Sequence, residues 1–291
     1  MFEYKNAVQT IWYAIQRVLV IFSGIYIFFA YNTIYALQML KEVSITVLCI
    51  FVVYQALVLL VGFSFLRMSI SKNCTTHELF PEAVERDGDS DDSSLCINPF
   101  EKEYMFAYKH EMNTCEKCNT SQPLRSYHCD KCHQCLLLMY KHLTWCDLCI
   151  GFTNYKFYVV FLFYLMLMNL ISFGCFIHSL LISLSEKKEI AAITVALSLQ
   201  VVVIIFTAYF LGECIYSICI NQTPQERKHP VENTNISYDM GYYQNWKIIM
   251  GESWYMWFIP SWTTQGDGLK FQHTRKVEPE VYEDTLPTSP L

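Results

Sequence analysis

The sequence predicts an all-α integral membrane protein, with four transmembrane helices and a cytosolic, metal-binding, cysteine-rich domain between the second and third. Three observations predict it. The chain of 291 residues is 53% hydrophobic and 16% aromatic, more apolar than a soluble domain needs. Its apolar residues fall into four long blocks almost without charge. Seven of its 13 cysteines crowd into 115–149, in the segment between the second and third blocks.

The blocks are 18–37, 43–61 with an extension to 65, 157–182 and 190–220. Each is long enough to cross a hydrocarbon core of roughly 30 Å as a helix. The first is too long, and too poor in small residues after it, to read as a cleaved signal. Lys5, Arg17, Arg67, Lys72, Lys156, Arg227 and Lys228 flank the blocks on one side, whereas the two short connections offer only Lys41, Lys187 and Lys188. Both termini and the middle loop are therefore expected in the cytosol. Among polar groups in the blocks, Arg17 can snorkel from a span start, His178 and Glu213 sit near span ends, and Gln200 lies deeper. Glu213 should face protein or water, in packing or polar pairing between helices.

The net charge of −6 says little about partners, because much of the acid lies in PEAVERDGDSDDSS at 81–94. That linker lacks a periodic apolar face and reads as solvated and unstructured, as does the tail after Trp262. The membrane is the expected partner, and no nucleic acid is.

A cytosolic loop keeps its thiols reduced, so clustered cysteines point to metal rather than disulfides. Cys49, Cys175, Cys214 and Cys219 lie in or at the ends of the apolar blocks and read as small buried or lipid-facing side chains. Cys74 and Cys96 are juxtamembrane or linker residues able to accept an acyl chain. The array itself is CEKCNTSQPLRSYHCDKCHQCLLLMYKHLTWCDLCIG, at 115–151. It holds CxxC pairs at Cys115/Cys118 and Cys146/Cys149, an overlapping CxxCxxC at Cys129, Cys132 and Cys135, and His128, His133 and His142. Two thiolates at that spacing occupy two corners of a zinc tetrahedron. Ten candidates for two four-coordinate sites leave two over, so spacing leaves the partition open. A RING-like cross-brace would want its histidine after a third cysteine, whereas His128 directly precedes Cys129.

These residues resemble the DHHC cysteine-rich-domain protein S-acyltransferases, four-span membrane enzymes that transfer palmitate from acyl-CoA to protein cysteines. Pro123, Arg125, Ser126, His128, Met139, Trp145, Cys149, Ile150, Gly151, Asn154 and Phe157 stand in register with the family pattern. NQTPQE at 221–226 resembles its Thr-Thr-x-Glu motif, with Pro224 replacing one threonine. NWKIIMGESWYMWFIP at 245–260 is similar to its C-terminal packing motif, carrying Asn245, Gly251, Trp257 and Pro260 at the expected spacings. The rings of that segment also suit a headgroup layer, so the region near Trp254 and Trp257 is expected to hold the cysteine-rich domain against the bilayer. The implied organisation is 1–66 with the first two spans, a 67–108 linker, a 109–156 zinc domain, 157–220 with the last two spans, 221–260 with the C-terminal motifs and a 261–291 tail.

The resemblance implies two zinc ions, one on Cys115, Cys118, His128 and Cys135 and the other on Cys129, Cys132, His142 and Cys149. Each set is three thiolates and one imidazole, a closed structural tetrahedron with no open position, so the metal would fold the loop rather than catalyse. His133 and Cys146 are left over, His133 as a solvated side chain on a turn.

In the family an Asp-His-His-Cys tetrad supplies orienting carboxylate, base, zinc ligand and acyl-carrying nucleophile. Here those positions are Tyr140, Lys141, His142 and Leu143, and only the zinc ligand survives. Leucine has no nucleophile, and lysine and tyrosine titrate near 10 in water, so that chemistry cannot occur here. Two accounts follow: a pseudoenzyme that binds a protein substrate, an acyl-CoA or a catalytically complete relative, or catalysis relocated to Cys146. Against the second stand two nearby thiolate clusters and the lack of a free histidine in the immediate segment. A membrane-tethered zinc module serving only protein recognition is a third reading. Endomembranes such as ER or Golgi are the compartment the family implies.

Overall fold

The computed structural model describes residues 2–39, 44–73, 75–76, 113–186, 190–229, 236–269, 271–272 and 274–275. The acidic linker, Cys74, Cys96, Lys41, Lys187 and Lys188 lie outside them.

Four long helices dominate: α1 (Phe2–Met39), α2 (Ile45–Ile70), α3 (Tyr155–Glu186) and α4 (Ile190–Cys219). Three stretches, Ile45–Ile70, Tyr155–Leu184 and Ile190–Cys219, are long and apolar enough to cross a membrane. α1 contains the predicted first block, but its described apolar stretch is the shorter Ile21–Ile34. At 1.5 Å per residue this helix is about 57 Å long, roughly twice the hydrocarbon thickness. It starts 16 residues before the predicted block, and Arg17 reaches the cysteine-rich loop from that extension.

The helices share a buried apolar cluster of Ile27 and Tyr31 from α1, Tyr54 from α2, Phe176 from α3, and Ile193 and Ala196 from α4. Tyr31 and Tyr54 stack with centroids 3.7 Å apart. Two sets of polar side chains pair across the helices, as expected where water is scarce. Gln55 donates to Asn32 at 2.7 Å, and the Gln200 amide donates to the Asn169 carbonyl at 2.9 Å and to the Ser172 hydroxyl.

The cysteine-rich segment is not helical, which corrects the all-α expectation there. It forms three antiparallel hairpins: β1 (Asn113–Cys115) with β2 (Thr120–Gln122), β3 (Tyr127–Cys129) with β4 (Gln134–Leu136), and β5 (Lys141–Leu143) with β6 (Leu148–Ile150). The cause is local. Each turn contains a left-handed residue, Asn119, His133 or Asp147, with φ of 55°, 54° and 58°. Such a residue closes a tight turn and ends helical propagation.

Two asparagines, Asn73 and the fully buried Asn154, tie the hairpins to the helices. Asn73, just past α2, donates to the Cys149 carbonyl at 2.7 Å and accepts from the Thr153 hydroxyl at 2.9 Å. The Asn154 side chain accepts from the Gly151 N–H at 2.9 Å. A Cβ on Gly151 would meet the Leu137 carbonyl oxygen at 2.9 Å, so only glycine fits that junction.

After α4 comes the short α5 (Pro224–Lys228), opened by a reciprocal capping box between Thr223 and Glu226 with proline in the first turn. Next are β7 (Ile236–Ser237), α6 (Tyr242–Met250), a 3₁₀ turn (Trp254–Phe258) and β8 (Thr274–Arg275), which pairs with β7. The expected structureless tail beginning at 261 does not hold for its described part. Thr263, Thr264 and Gln265 donate to the carbonyls of Met250, Ile249 and Ile248, which the end of α6 leaves without helical partners.

Candidate functional site

The hairpins bring eight ligand atoms into two groups: Cys115, Cys118, His128 and Cys135, and Cys129, Cys132, His142 and Cys149, with the atoms of each group within 4.8 Å of one another. His128 Nδ1 lies 3.7, 3.1 and 3.7 Å from the sulfurs of Cys115, Cys118 and Cys135. His142 Nδ1 lies 3.7, 3.5 and 3.3 Å from those of Cys129, Cys132 and Cys149. Sulfur–sulfur separations are 3.7 Å in the first group and 3.3 and 3.4 Å in the second. A tetrahedral zinc with Zn–S near 2.3 Å and Zn–N near 2.1 Å has edges of about 3.6–3.8 Å. The donor sets thus fit a four-coordinate metal ion, and each could hold one.

The thiols' own ionisation agrees. A hydrogen bond from Cys149 holds Cys129 down to about 5, while the same interaction and burial push Cys149 far up. Thiolates this close cannot all ionise without a cation between them. Each histidine also turns Nε2 toward a carboxylate, His142 toward Asp147 at 3.2 Å and His128 toward Asp130 at 3.7 Å. That is the outer partner that orients a ligating imidazole. Neither aspartate stood out in the sequence.

A repeat explains the leftover residues. Cys115, Cys129 and Leu143 end the first strand of each hairpin, fourteen residues from one to the next, and Cys118, Cys132 and Cys146 follow three residues later. Cys146 therefore stands where the other hairpins carry their second ligand, in a CxxC whose first cysteine has become Leu143. His133 is exposed and supplies the left-handed turn residue. A search for the 14-residue period would have found both roles.

The tetrad positions are filled by packing. Leu143 is 5% exposed, in one buried cluster with Tyr140, Ile150, Phe157 and Phe161. Tyr140 is fully buried, stacks on Tyr155 at 4.6 Å, and its hydroxyl accepts from the Cys214 thiol at 3.4 Å. Burial holds its phenol far above the usual value. Lys141 donates to Glu213 Oε2 at 3.0 Å, with its ammonium 4.2 Å from the Phe210 ring centroid. The other Glu213 oxygen faces Arg227 at 3.8 Å. Glu213 thus serves as an inter-element ion-pair partner.

Cys146 sits half-buried with its sulfur 4.0 Å from the Leu143 carbonyl. Burial pushes its thiol up to about 11, Asp147 adding to the rise and Arg17 opposing it. Arg17 does not merely snorkel: it donates to the Thr144 carbonyl at 2.9 Å and faces Asp147 at 3.5 Å. Beside it, Trp145 stacks on Phe65 and Phe161.

The C-terminal motifs support this assembly. Arg125 pairs with Glu226 at 2.5 and 3.1 Å and with both oxygens of Asn221, and it lies against the rings of Tyr238 and Phe271. Asn245 donates to the Cys219 carbonyl and to Asp239, each at 2.7 Å. Gly251 has φ of 97°, and a Cβ there would strike Thr263 at 2.6 Å. Trp257 donates to the Gly251 carbonyl at 2.8 Å, and Pro260 is buried.

Comparison with known proteins places these residues in context. Residues 108–230 match the family model described as DHHC palmitoyltransferase. Palmitoyltransferase PFA3 of Saccharomyces cerevisiae is 30% identical over 243 residues, covering 71% of this chain and 70% of that protein. Probable protein S-acyltransferase 13 of Arabidopsis thaliana is 31% identical over 164 residues, 53% of each chain. Palmitoyltransferase ZDHHC15 of Xenopus laevis is 28% identical over 169 residues, 54% of this chain and 49% of that one. The chain spans about half the length of the latter two.

Proposed function

The chain belongs to the DHHC palmitoyltransferase family, and from that premise we propose that it is a pseudoenzyme, keeping the membrane scaffold and metal-stapled loop of an S-acyltransferase without the acyl transfer. The observation that carries this reading is the reactive position itself. Leu143 is buried among aromatic and aliphatic side chains, and its neighbour Lys141 is held in an ion pair with Glu213. An acyl-carrying residue needs a nucleophile within reach of a base. Leucine provides neither attack nor proton, and the Lys141 ammonium is engaged by the Glu213 carboxylate at 3.0 Å. Cys146 as a replacement carrier is disfavoured by its raised thiol and by Asp147 beside it.

In this reading the two donor sets hold zinc, in the partition given above, and the ions fold the loop. α1 is the fourth crossing, both termini and the hairpins lie in the cytosol, and the protein resides in ER or Golgi membranes. The domain boundaries follow the sequence division, with the linker at 67–108 and the zinc domain at 109–156. Binding replaces chemistry: an acyl-CoA, a protein substrate or a catalytically complete relative is the ligand.

The test is incubation of purified protein with labelled long-chain acyl-CoA, beside Cys146→Ala. No hydroxylamine-sensitive acyl-enzyme is expected from either. Label on the parent that disappears in Cys146→Ala would establish relocated catalysis and sink the proposal. Label gained on combining Tyr140→Asp, Lys141→His and Leu143→Cys would support an acyl-CoA site that has lost only its reactive group.

A further inference from the structure

From Ser253 to Gly266 the chain carries no charged side chain, yet it lies at the surface. Trp254 is 69% exposed and Tyr255 58%, and Phe258, Ile259 and Trp262 are exposed beside them. Trp257, which the sequence grouped with Trp254, faces the other way: its indole N–H is bonded to the Gly251 carbonyl and its ring meets Trp246 at 6.0 Å. The segment is therefore two-sided.

Its inner side is rooted on α3. The buried Lys156 donates to the Met256 carbonyl at 2.8 Å and to the Thr263 hydroxyl. The Tyr164 hydroxyl donates to the Phe258 carbonyl at 2.7 Å, and the Phe163 and Phe258 rings meet at 5.4 Å. Phe163 and Tyr164 lie about 13 Å along α3 from its first residue. They belong to a helix long and apolar enough to cross a membrane. The first eight residues of α3 are buried, and the helix becomes half-exposed at Phe163, so the exposed aromatic face adjoins the point where α3 emerges from the protein.

We propose that Trp254, Tyr255, Phe258, Ile259 and Trp262 lie in the headgroup–acyl boundary of the leaflet on the hairpin side, as a non-spanning anchor. A water-facing patch of this composition would be costly, whereas Trp and Tyr rings are stabilised at a bilayer interface, their apolar bodies among acyl chains and their polar edges in the hydrated layer. The occupant is lipid of ordinary phosphatidylcholine chemistry, since the segment offers no charge to select an anionic headgroup. The anchor holds α6, and through the buried cluster that Ile249 and Met250 share with Leu138, Tyr140 and Leu143 also the hairpins, at a fixed height above the membrane. It does not depend on whether acyl transfer is lost.

The experiment uses full-length protein reconstituted into phosphatidylcholine vesicles with plain or dibrominated acyl chains, reading tryptophan fluorescence. The contribution of Trp254 and Trp262 is the emission lost in the Trp254→Phe, Trp262→Phe double variant, and the single Trp254→Phe variant repeats the measurement with a smaller perturbation. The expected result is that this difference emission is quenched by the brominated chains and spared by aqueous iodide. Quenching by iodide instead would put the face in water and overturn the proposal. So would quenching by neither, since the face would then be covered by protein.

Discussion

The hairpins β3–β4 and β5–β6 share length, register and turn geometry, yet every cysteine of the first joins a candidate metal group, whereas the second divides its corresponding positions between such a group and packing. In the first, Cys129, Cys132 and Cys135 all join ligand groups. In the second, only His142 and Cys149 do, while Leu143 enters the apolar cluster, Cys146 is left over and Lys141 turns to Glu213. The difference teaches that the hairpin backbone is the same whether its first strand ends on a cysteine, as at Cys129, or on a leucine, as at Leu143. Its shape is set by the turn and by the ligands on either side.

Removing a ligand breaks the comparison most severely. Cys132→Ala or His142→Ala should reduce bound metal from two ions to one by elemental analysis of the purified protein and unfold the hairpins. Structural zinc contributes roughly 10–16 kcal/mol in small finger peptides, more than a short loop can replace. Cys146→Ala should leave both ions in place, because the repeat puts Cys146 in a turn without its partner cysteine. Loss of an ion in that variant would mean that the two hairpins are not divided as described.

Next comes the pair that fastens the loop to the segment after α4. Arg125 and Glu226 are almost fully buried, with side-chain exposures of 2% and 9%. Arg125→Met leaves the Glu226 carboxylate buried without its cation, and a loss of about 3–5 kcal/mol is expected from such a break. Replacing both residues by apolar ones should recover much of it. Denaturation midpoints of the detergent-solubilised protein measure both, and equal loss in the single and double variants would remove the pair from the account.

The Lys141–Glu213 pair is more accessible, at 18% and 23%, so its contribution should be smaller. A double-mutant cycle on Lys141→Met and Glu213→Gln should return a coupling of about 1–2 kcal/mol, between exposed and buried pairs. Zero coupling would mean that Lys141 is held by Phe210 and its neighbouring rings alone.

What the sequence made legible were features written in short windows. Apolar runs such as 190–220 and the CxxC spacings are local, and one chain suffices to see them. The ion pairs that hold the loop are not local. Lys141 and Glu213 are 72 residues apart and Arg125 and Glu226 are 101 apart. Nothing in the spacing of a lysine and a glutamate says that α4 will bring them together. Asp147 was overlooked for a related reason: a carboxylate beside a cysteine array reads as ordinary solubilising charge until the hairpin folds and sets it 3.2 Å from His142. The inward turn of Trp257 depends on the positive φ of Gly251 and on Thr263 packed against it.

The smallest expected effect is none at all, and it tests which side of the membrane the hairpins occupy. The sequons at Asn73, Asn119, Asn221 and Asn235 all fall on the side assigned to the cytosol, so treatment with a glycosidase should not shift the mass of protein expressed in a eukaryotic cell. Two of these asparagines carry a second argument that does not depend on topology. The Asn73 amide donates to the Cys149 carbonyl and the Asn221 amide to the Tyr238 carbonyl, each at 2.7 Å. A glycan on either nitrogen would replace one of its two hydrogens and wedge a sugar against the carbonyl it bonds, forcing the side chain outward, so glycosylation there is incompatible with the folded loop on either side of the membrane. Asn119 differs in being exposed, as the left-handed residue of the first turn at the rim of a hairpin. A glycan found on Asn119 alone would therefore leave the fold standing and reverse its orientation. A glycan on Asn73 or Asn221 would break the docking of hairpin to helix on which the comparison of the two hairpins rests.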